Sequence, residues 1–355
     1  MNTALQSGTR ELTFSQAINE AIRQEMRRDP TVIVMGEDIA GAAGRAHLGF
    51  VDAWGGPLRA TCGLITELGP ERVLDTPVSE MGFMGAAVGA AMTGLRPIVE
   101  LMFVDLIGCC YDQIINQAAK MHYMMGGQVQ MPLVIRIPYG TRGWRLSYGG
   151  GAAAQHSQTL YSVLAHVPGL KVVVPSTAFN AKGLTIAAIR NNGPVVVMEH
   201  KFLGSAAKRD VPEDSYTVPI GRAEIVRSGR DLTLCGIGRM THVCLDAADR
   251  LAAKGISAEV VDVLTLAPLD EATILESVMR TRRLVVVDED TPTASMARDI
   301  AARIADKGFD WLDAPVKTVT APDTPVPFAA VLEADYTPQM EQVLAVVHEL
   351  LGLGV

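Results

Sequence analysis

The feature that most narrows what this chain can fold into is the regular return of short apolar runs separated by helical stretches of ten or more residues. A short strand before Asp75 opens the series, and the runs 97–103, 133–137, 171–174 and 194–199 continue it as strands rich in Val and Ile. Between them, 82–93, 107–124 and 178–190 carry helical character. Strands that alternate with helices of this length need right-handed crossovers, which give a parallel sheet covered on both faces. Upstream, the spacing predicts a helix over 13–28, opened by a capping box from Thr13 to Gln16, then a buried-type strand over 31–35. Residues 40–70, rich in Gly and Ala, predict an irregular connection. A glycine-rich loop spans 139–151, with a helix predicted to start near His156.

The alternation pauses over 201–218, which is polar, contains Pro212 and has no clear period. It then restarts, with strands at 231–235, 258–263, 284–288 and 316–320, and helices at 243–253, 271–279, 296–305 and 339–350. The expectation is an α/β chain of two parallel-sheet domains, 1–200 and 219–355, joined by a linker at 201–218. A length of 355 residues suffices for two filled cores.

Charge and patterning exclude several classes. A net charge of −8 gives no general field for nucleic acid or anionic lipid. The run 81–95 is fifteen residues without a charge, short of the roughly 20 that span a bilayer. The longer run 146–170 carries too many Gly, Ser, Gln and His to do so. The first dozen residues lack the apolar core of a signal peptide, so a soluble, cytoplasmic protein is expected. Cys62, Cys109, Cys110, Cys235 and Cys244 are odd in number and form no CxxC, which predicts neither a disulfide framework nor a zinc site.

Glu80 stands directly before that uncharged run. A carboxylate in such surroundings is costly unless paired or protonated. Two readings stay open: a carboxylate with a dedicated partner, or a first-turn acid that reaches solvent and favours the helix dipole. Ligands of open parallel sheets collect beyond the carboxyl ends of the strands. The turn 75–80, the loop 139–156 and the bend after Phe103 meet that condition, so Glu80 and His156 are expected to open on one sheet edge. A carboxylate and an imidazole there can divide acid and base work near neutral pH. His166 and His348 read as core or surface residues, and His122 is a weaker candidate. A second motif, Cys235 to Thr241, loosely copies a dinucleotide fingerprint with Glu259 downstream. Its third glycine position is Thr241 and Arg239 enters the turn, so the backbone needs of a tight turn account for its glycines first and nucleotide binding stays the lesser reading.

The segments LDTPVSEMGFMGAAVGAAMTGLRPIVELMF, YDQIINQAAK, AAAQHSQ, HVPGLKVVVPST, AKGL and PVVVMEH follow in this order. LAPLDEATILESVMRTRRLVVVDED and VTAPDTPVPFAAVLEADYTP continue them. Together, over nearly the whole chain, they resemble the beta subunit of the thiamine-diphosphate-dependent first component of 2-oxo acid dehydrogenase complexes, in the transketolase-like superfamily. AAAQHSQ, ELMFVD, LTLAPLD and TAPDTPVPF are most similar to the acetoin dehydrogenase branch, with pyruvate dehydrogenase close behind.

The resemblance implies a transketolase-like pyrimidine-binding domain followed by a transketolase C-terminal domain. It implies that Glu80 hydrogen-bonds a ring nitrogen of the aminopyrimidine, that Met102 and Leu106 contact that ring, and that His156 transfers a proton to the intermediate or to a lipoyl sulfur. The implied reaction cleaves a bond next to a carbonyl and passes the acyl group to a lipoyl arm. Acetoin is the expected substrate; the alternatives are pyruvate, a branched-chain 2-oxo acid, or a non-catalytic structural subunit. Leu106 stands where many members carry an aromatic, and the loop 141–151, with Arg142, Trp144, Arg145 and Tyr148, is longer and more basic than usual. That loop reads equally as a shaper of substrate choice and as a surface loop. No GDG segment is present, so Mg2+ and the diphosphate are expected mainly on an alpha subunit in an α2β2 assembly. The second domain is expected to mediate subunit contacts and docking of a dihydrolipoyl acyltransferase core. A monovalent cation near 175–182 is left open, because Asn180 replaces the usual aspartate.

Overall fold

The structure, a computed structural model, describes residues 8–40, 55–56, 58–142, 151–205 and 208–353. In chain order its elements are β1 (Thr9–Leu12), α1 (Phe14–Arg28), β2 (Val32–Gly36), α2 (Leu64–Leu68), β3 (Val73–Asp75), α3 (Glu80–Met92) and β4 (Arg96–Glu100). There follow α4 (Met121–Met124), β5 (Val134–Tyr139), α5 (Tyr161–Ala165), β6 (Lys171–Val173), α6 (Ala178–Arg190), β7 (Val195–His200) and β8 (Arg209–Pro212). The remainder comprises β9 (Glu224–Arg227), β10 (Leu232–Gly236), α7 (Arg239–Ala252), β11 (Ala258–Asp262), β12 (Thr265–Ala267) and α8 (Glu271–Thr281). β13 (Leu284–Val287), α9 (Met296–Lys307), β14 (Lys317–Val319), α10 (Ala330–Tyr336) and α11 (Met340–Leu350) complete it.

Two compact units result, Met1–Pro138 with Val167–Ile220, and Tyr139–His166 with Gly221–Val355. The stretch 139–166 thus groups with the second unit, and 201–218 groups with the first. The latter is more than a tether. β8 pairs antiparallel with β1, placing Arg10 opposite Val211. Val211 is buried against Ala17 and Ala178. A four-residue strand with one buried side chain leaves almost no apolar signal in the sequence.

In the first unit, six strands lie side by side in the order β6-β7-β5-β4-β2-β3. Their registered pairs are parallel, as the alternation requires. α1 starts where Thr13 Oγ1 accepts from the Gln16 amide while Thr13 N donates to Gln16 Oε1, which closes the capping box. It buries Ala17, Ile18, Ala21, Ile22 and Met26 completely. It stops before Pro30, which supplies no amide to continue the ladder. The single helix expected over 107–124 is instead a 3₁₀ turn (Val104–Cys110), a π-helical turn (Gln113–Ala118) and α4. The Ala119 amide reaches back five residues to the Ile114 carbonyl, and the Asn116 and Gln117 amides both turn onto Asp112, favouring the wider turn.

The second unit holds a five-stranded sheet in the order β14-β13-β10-β11-β9, parallel except for edge strand β9. Strand residues Leu232, Leu234, Val260, Val285 and Val287 pack with Met240, Cys244, Ala247 and Leu251 of α7 and with Val343 and Val347 of α11. The helix predicted to start near His156 is absent: His156 lies in a turn, and α5 begins only at Tyr161. Ala153 has φ +61°, a left-handed conformation that no helix can incorporate, and it delays the start. Among the described residues no helix is long and apolar enough to cross a membrane.

Candidate functional site

β2 turns to β3 on one side, and the chain then returns to lay β4 on the other. That reversal makes the carboxyl edge of β2 and β4 the place where a crevice opens. The register sets Gly36 beside both Asp75 and Glu100, so β2, β3 and β4 finish at one edge. Gly36 is required there, because a Cβ would lie 2.8 Å from the Glu100 carbonyl oxygen. The Thr76 amide donates to the Gly36 carbonyl (3.0 Å), and Asp75 Oδ1 accepts from the Ala40 amide (2.6 Å). These bonds hold the turn that delivers Glu80 as the first residue of α3.

Glu80 is only 8% exposed. Its position at the first turn suits the helix dipole, yet the solvent-facing reading fails, because the side chain is buried. Among the described residues no hydrogen bond or ion pair reaches its carboxylate. Two groups on neighbouring elements feel its charge. Glu37, just past β2, has its carboxyl held above the ordinary range, first by burial, then by the Glu80 charge and that of Asp38. Cys110, at the end of the 3₁₀ turn, has its thiol pushed up to about 12, first by burial and then by Glu80 and Cys109. Glu37 Oε1, Thr76 Oγ1 and Gln113 Oε1 are buried without a hydrogen-bond partner among the described residues. Met102 is buried and Leu106 half-buried on the segment leaving β4, so the same edge carries apolar walls. Glu80, Met102 and Leu106 therefore gather at one edge of the first unit. Glu37 joins them; it belongs to no motif in the sequence, and an acid immediately past a central strand is the only signal that marks it.

Such an edge can take a flat heteroaromatic ring, with the carboxylate accepting from a ring N–H and the unused polar atoms meeting an exocyclic amine. These acceptors fit an aminopyrimidine with a proton on that ring nitrogen. Among the described residues no group of three or more His, Cys, Asp or Glu could hold a metal ion.

His156 belongs to the second unit. It is exposed, on a turn in which its amide donates to the Ala153 carbonyl (3.2 Å). The Gly151 amide donates to the Phe328 carbonyl (2.9 Å), and the Gly140 amide donates to the Gln158 carbonyl (3.0 Å). The dinucleotide-like turn of this unit is filled by its own chain. A Cβ on Gly236 would lie 2.6 Å from the Thr241 backbone, Thr241 Oγ1 donates to Asp262 (3.0 Å), and Arg239 Nη1 donates to Thr141 Oγ1 (3.1 Å).

The same unit buries Asp288, which accepts from Tyr161 Oη and from the amides of Asp290 and Ala297. Asp290, bonded to Ser162 Oγ, is pushed up to about 7, first by burial and then by the Asp288 charge. A carboxyl raised in the fold stabilises fully below its unfolded value near 3.8, and that stability is lost as pH rises through about 7. Asp290→Asn is therefore expected to flatten the fall in melting temperature between pH 4 and 8. An unchanged slope in thermal scans would place the loss elsewhere.

The chain matches the family model "Transketolase, pyrimidine binding domain" over residues 10–205 and "Transketolase, C-terminal domain" over residues 221–343. It is 52% identical over 343 residues to the acetoin:2,6-dichlorophenolindophenol oxidoreductase subunit beta of Bacillus subtilis (strain 168), covering 97% of this chain and 98% of that one. It is 42% identical over 343 residues to the pyruvate dehydrogenase E1 component subunit beta of Rhizobium meliloti (strain 1021), covering 96% and 70%. It is 41% identical over 340 residues to the 2-oxoisovalerate dehydrogenase subunit beta of Bacillus subtilis (strain 168), covering 96% and 98%. A solved structure described as "Split gene transketolase, inactive beta4 tetramer" shares the fold at a TM-score of 0.74 and 22% identity, covering 96% of this chain and 99% of that one.

Proposed function

Because this chain belongs to the transketolase-like family of thiamine-diphosphate-dependent dehydrogenase beta subunits, we propose that it is the beta half of an acetoin-cleaving oxidoreductase with its pyrimidine site at Glu80. The single observation that carries the site is a buried carboxylate whose partner is not supplied by the described residues around it. When bound, thiamine diphosphate supplies a carbon nucleophile and an electron sink at the substrate carbonyl. Glu80 accepts a hydrogen bond from the ring, and its desolvated setting strengthens that bond. Met102 and Leu106 contact the ring and exclude water. His156 moves a proton at the substrate oxygen or at the lipoyl sulfur. Overall, the bond between the acetoin carbonyl carbon and its carbinol neighbour breaks, acetaldehyde leaves, and an acetyl group joins one sulfur of an oxidised lipoyl arm while the other sulfur gains a proton.

An alpha subunit completes the enzyme, as the family's beta designation requires. In this proposal the alpha partner holds the diphosphate and Mg2+ in an α2β2 assembly, supported by the lack of a GDG segment here. The second unit docks the dihydrolipoyl acyltransferase core, and the complex works in the cytoplasm. The substrate preference rests on the higher identity to the acetoin relative, 52% against 42% and 41%. It is tested by dye reduction with the purified alpha–beta complex, supplied in turn with acetoin, pyruvate and 3-methyl-2-oxobutanoate. Acetoin is expected to give a kcat/KM at least about tenfold above the other two, a difference of ~1.4 kcal/mol in transition-state binding. A higher value with either 2-oxo acid reassigns the substrate.

A further inference from the structure

α10 is a seven-residue helix that the sequence pattern did not reveal, and its Glu333 is fully buried. Glu333 Oε1 accepts from the Arg142 amide at 3.2 Å, and Oε2 is buried without a partner among the described residues. Gly151 closes on the same carboxylate: a Cβ there would lie 2.4 Å from Oε1, 2.8 Å from Cδ and 3.1 Å from Oε2. Any side chain at 151 would have to displace the acid. The Gly151 amide is itself held by the Phe328 carbonyl, two residues before α10 begins. Glu333 and its helix therefore grip both residues that bracket 143–150. Thr337, one turn further on, lies 2.9 Å from Thr141 Oγ1. That hydroxyl donates to Glu289 (2.8 Å) and accepts from Arg239 (3.1 Å).

His156 is five residues from Gly151. Between them, Ala153 holds φ +61° and its carbonyl accepts the His156 amide. Beyond, Gln158 is tied to Gly140. The turn that carries the imidazole is thus fixed at both ends, and the upstream end rests on the Glu333 carboxylate. A buried acid with half its acceptor capacity unused is an expensive cap for one amide, and such a group calls for an explanation beyond packing.

We propose that Glu333 is a positioning residue for His156, setting through Gly151 and Arg142 where the 153–156 turn presents its imidazole. The inference rests on the proposed role of His156 in proton transfer. Its test is a double-mutant cycle in the alpha–beta complex. Glu333→Ala, Glu333→Gln and Gly151→Ala are each assayed alone and with His156→Ala, measuring kcat, KM and thiamine diphosphate affinity. Glu333→Ala and Gly151→Ala are expected to lower kcat on the order of 10- to 100-fold, with cofactor affinity unchanged. Glu333→Gln, which keeps an acceptor for the Arg142 amide, is expected to recover most of that loss. In the His156→Ala background the further loss is expected to be under about twofold, because the residues act as one unit. Full additivity with His156→Ala, or wild-type kcat in Glu333→Ala, overturns the proposal while leaving the role of His156 intact. Wild-type turnover in His156→Ala alone overturns both. If Glu333→Ala does not assemble, Gly151→Ala, which adds one methyl against the carboxylate, carries the same cycle.

Discussion

Glu80→Gln is expected to lower turnover of the alpha–beta complex by a factor on the order of 10²–10⁴ while leaving affinity for thiamine diphosphate within about tenfold. The substitution keeps shape and one acceptor oxygen at a side chain only 8% exposed, so packing at the start of α3 is retained. What it removes is the charge. A neutral amide cannot stabilise a proton on the ring nitrogen, and in this site the difference is amplified because the buried surroundings screen little. The loss therefore belongs in kcat more than in ground-state binding. The neighbouring Glu37 gives a second readout. Its carboxyl is raised by burial first and by Glu80 second, so removing the Glu80 charge lets it fall part of the way toward its ordinary value. Any limb of the pH profile due to Glu37 is expected to move to lower pH in the variant. Calorimetric titration of the cofactor beside steady-state dye reduction separates the effects. Equal losses in affinity and turnover would reduce Glu80 to a ring holder, and full turnover would remove it from the chemistry.

Glu80 was legible in the sequence because an acid abutting fifteen uncharged residues breaks a pattern that is otherwise complete. Glu37 breaks no pattern. It becomes conspicuous only when the β2–β4 register places the end of its strand in the crevice. The helices α1 and α6 were legible for local reasons. Each has a threonine cap whose hydroxyl accepts the amide three residues on, and each ends beside residues that cannot extend it. Segments that carry no local signal depend on distant partners. β8 exists through β1, almost two hundred residues away. The grouping of 139–166 with the second unit follows from Thr141 meeting Glu289 and Tyr161 meeting Asp288, contacts that no window of sequence contains. α10 spans two turns and buries chiefly Glu333 and Tyr336, so it offered no apolar stripe. The π-helical turn at Gln113–Ala118 keeps helical composition while changing the hydrogen-bond period, a distinction that residue types alone do not encode.

Arg136→Met is expected to destabilise the first unit by about 3–5 kcal/mol. Arg136 sits on β5 between β7 and β4 and is fully buried. Its Nε and Nη2 donate to the two carboxylate oxygens of Glu199 (2.6 and 2.8 Å), and its Nη1 donates to Glu100 Oε2 (2.6 Å). Glu100 and Glu199 are at most 1% exposed, so methionine would leave two desolvated carboxylates facing each other with no cation between them. Lysine is no substitute, since a single ammonium cannot reproduce the planar fork that spans two acids. The pH dependence distinguishes this cause from lost packing. Burial already holds the Glu100 carboxyl above its ordinary 4.5, and without the arginine that elevation grows. A carboxyl raised in the fold stabilises below its unfolded value and loses that contribution as pH climbs through the folded one. The penalty in Arg136→Met is therefore expected to shrink toward pH 4 and to be full at pH 8. Denaturant titrations at both values decide it. A pH-independent loss would assign the cost to a cavity, and a loss below about 1 kcal/mol would mean that the strands hold the acids apart without help. Replacing Arg136, Glu100 and Glu199 together by apolar residues of similar volume is expected to recover most of the stability, because the penalty arises from stranded charge and not from the sheet itself.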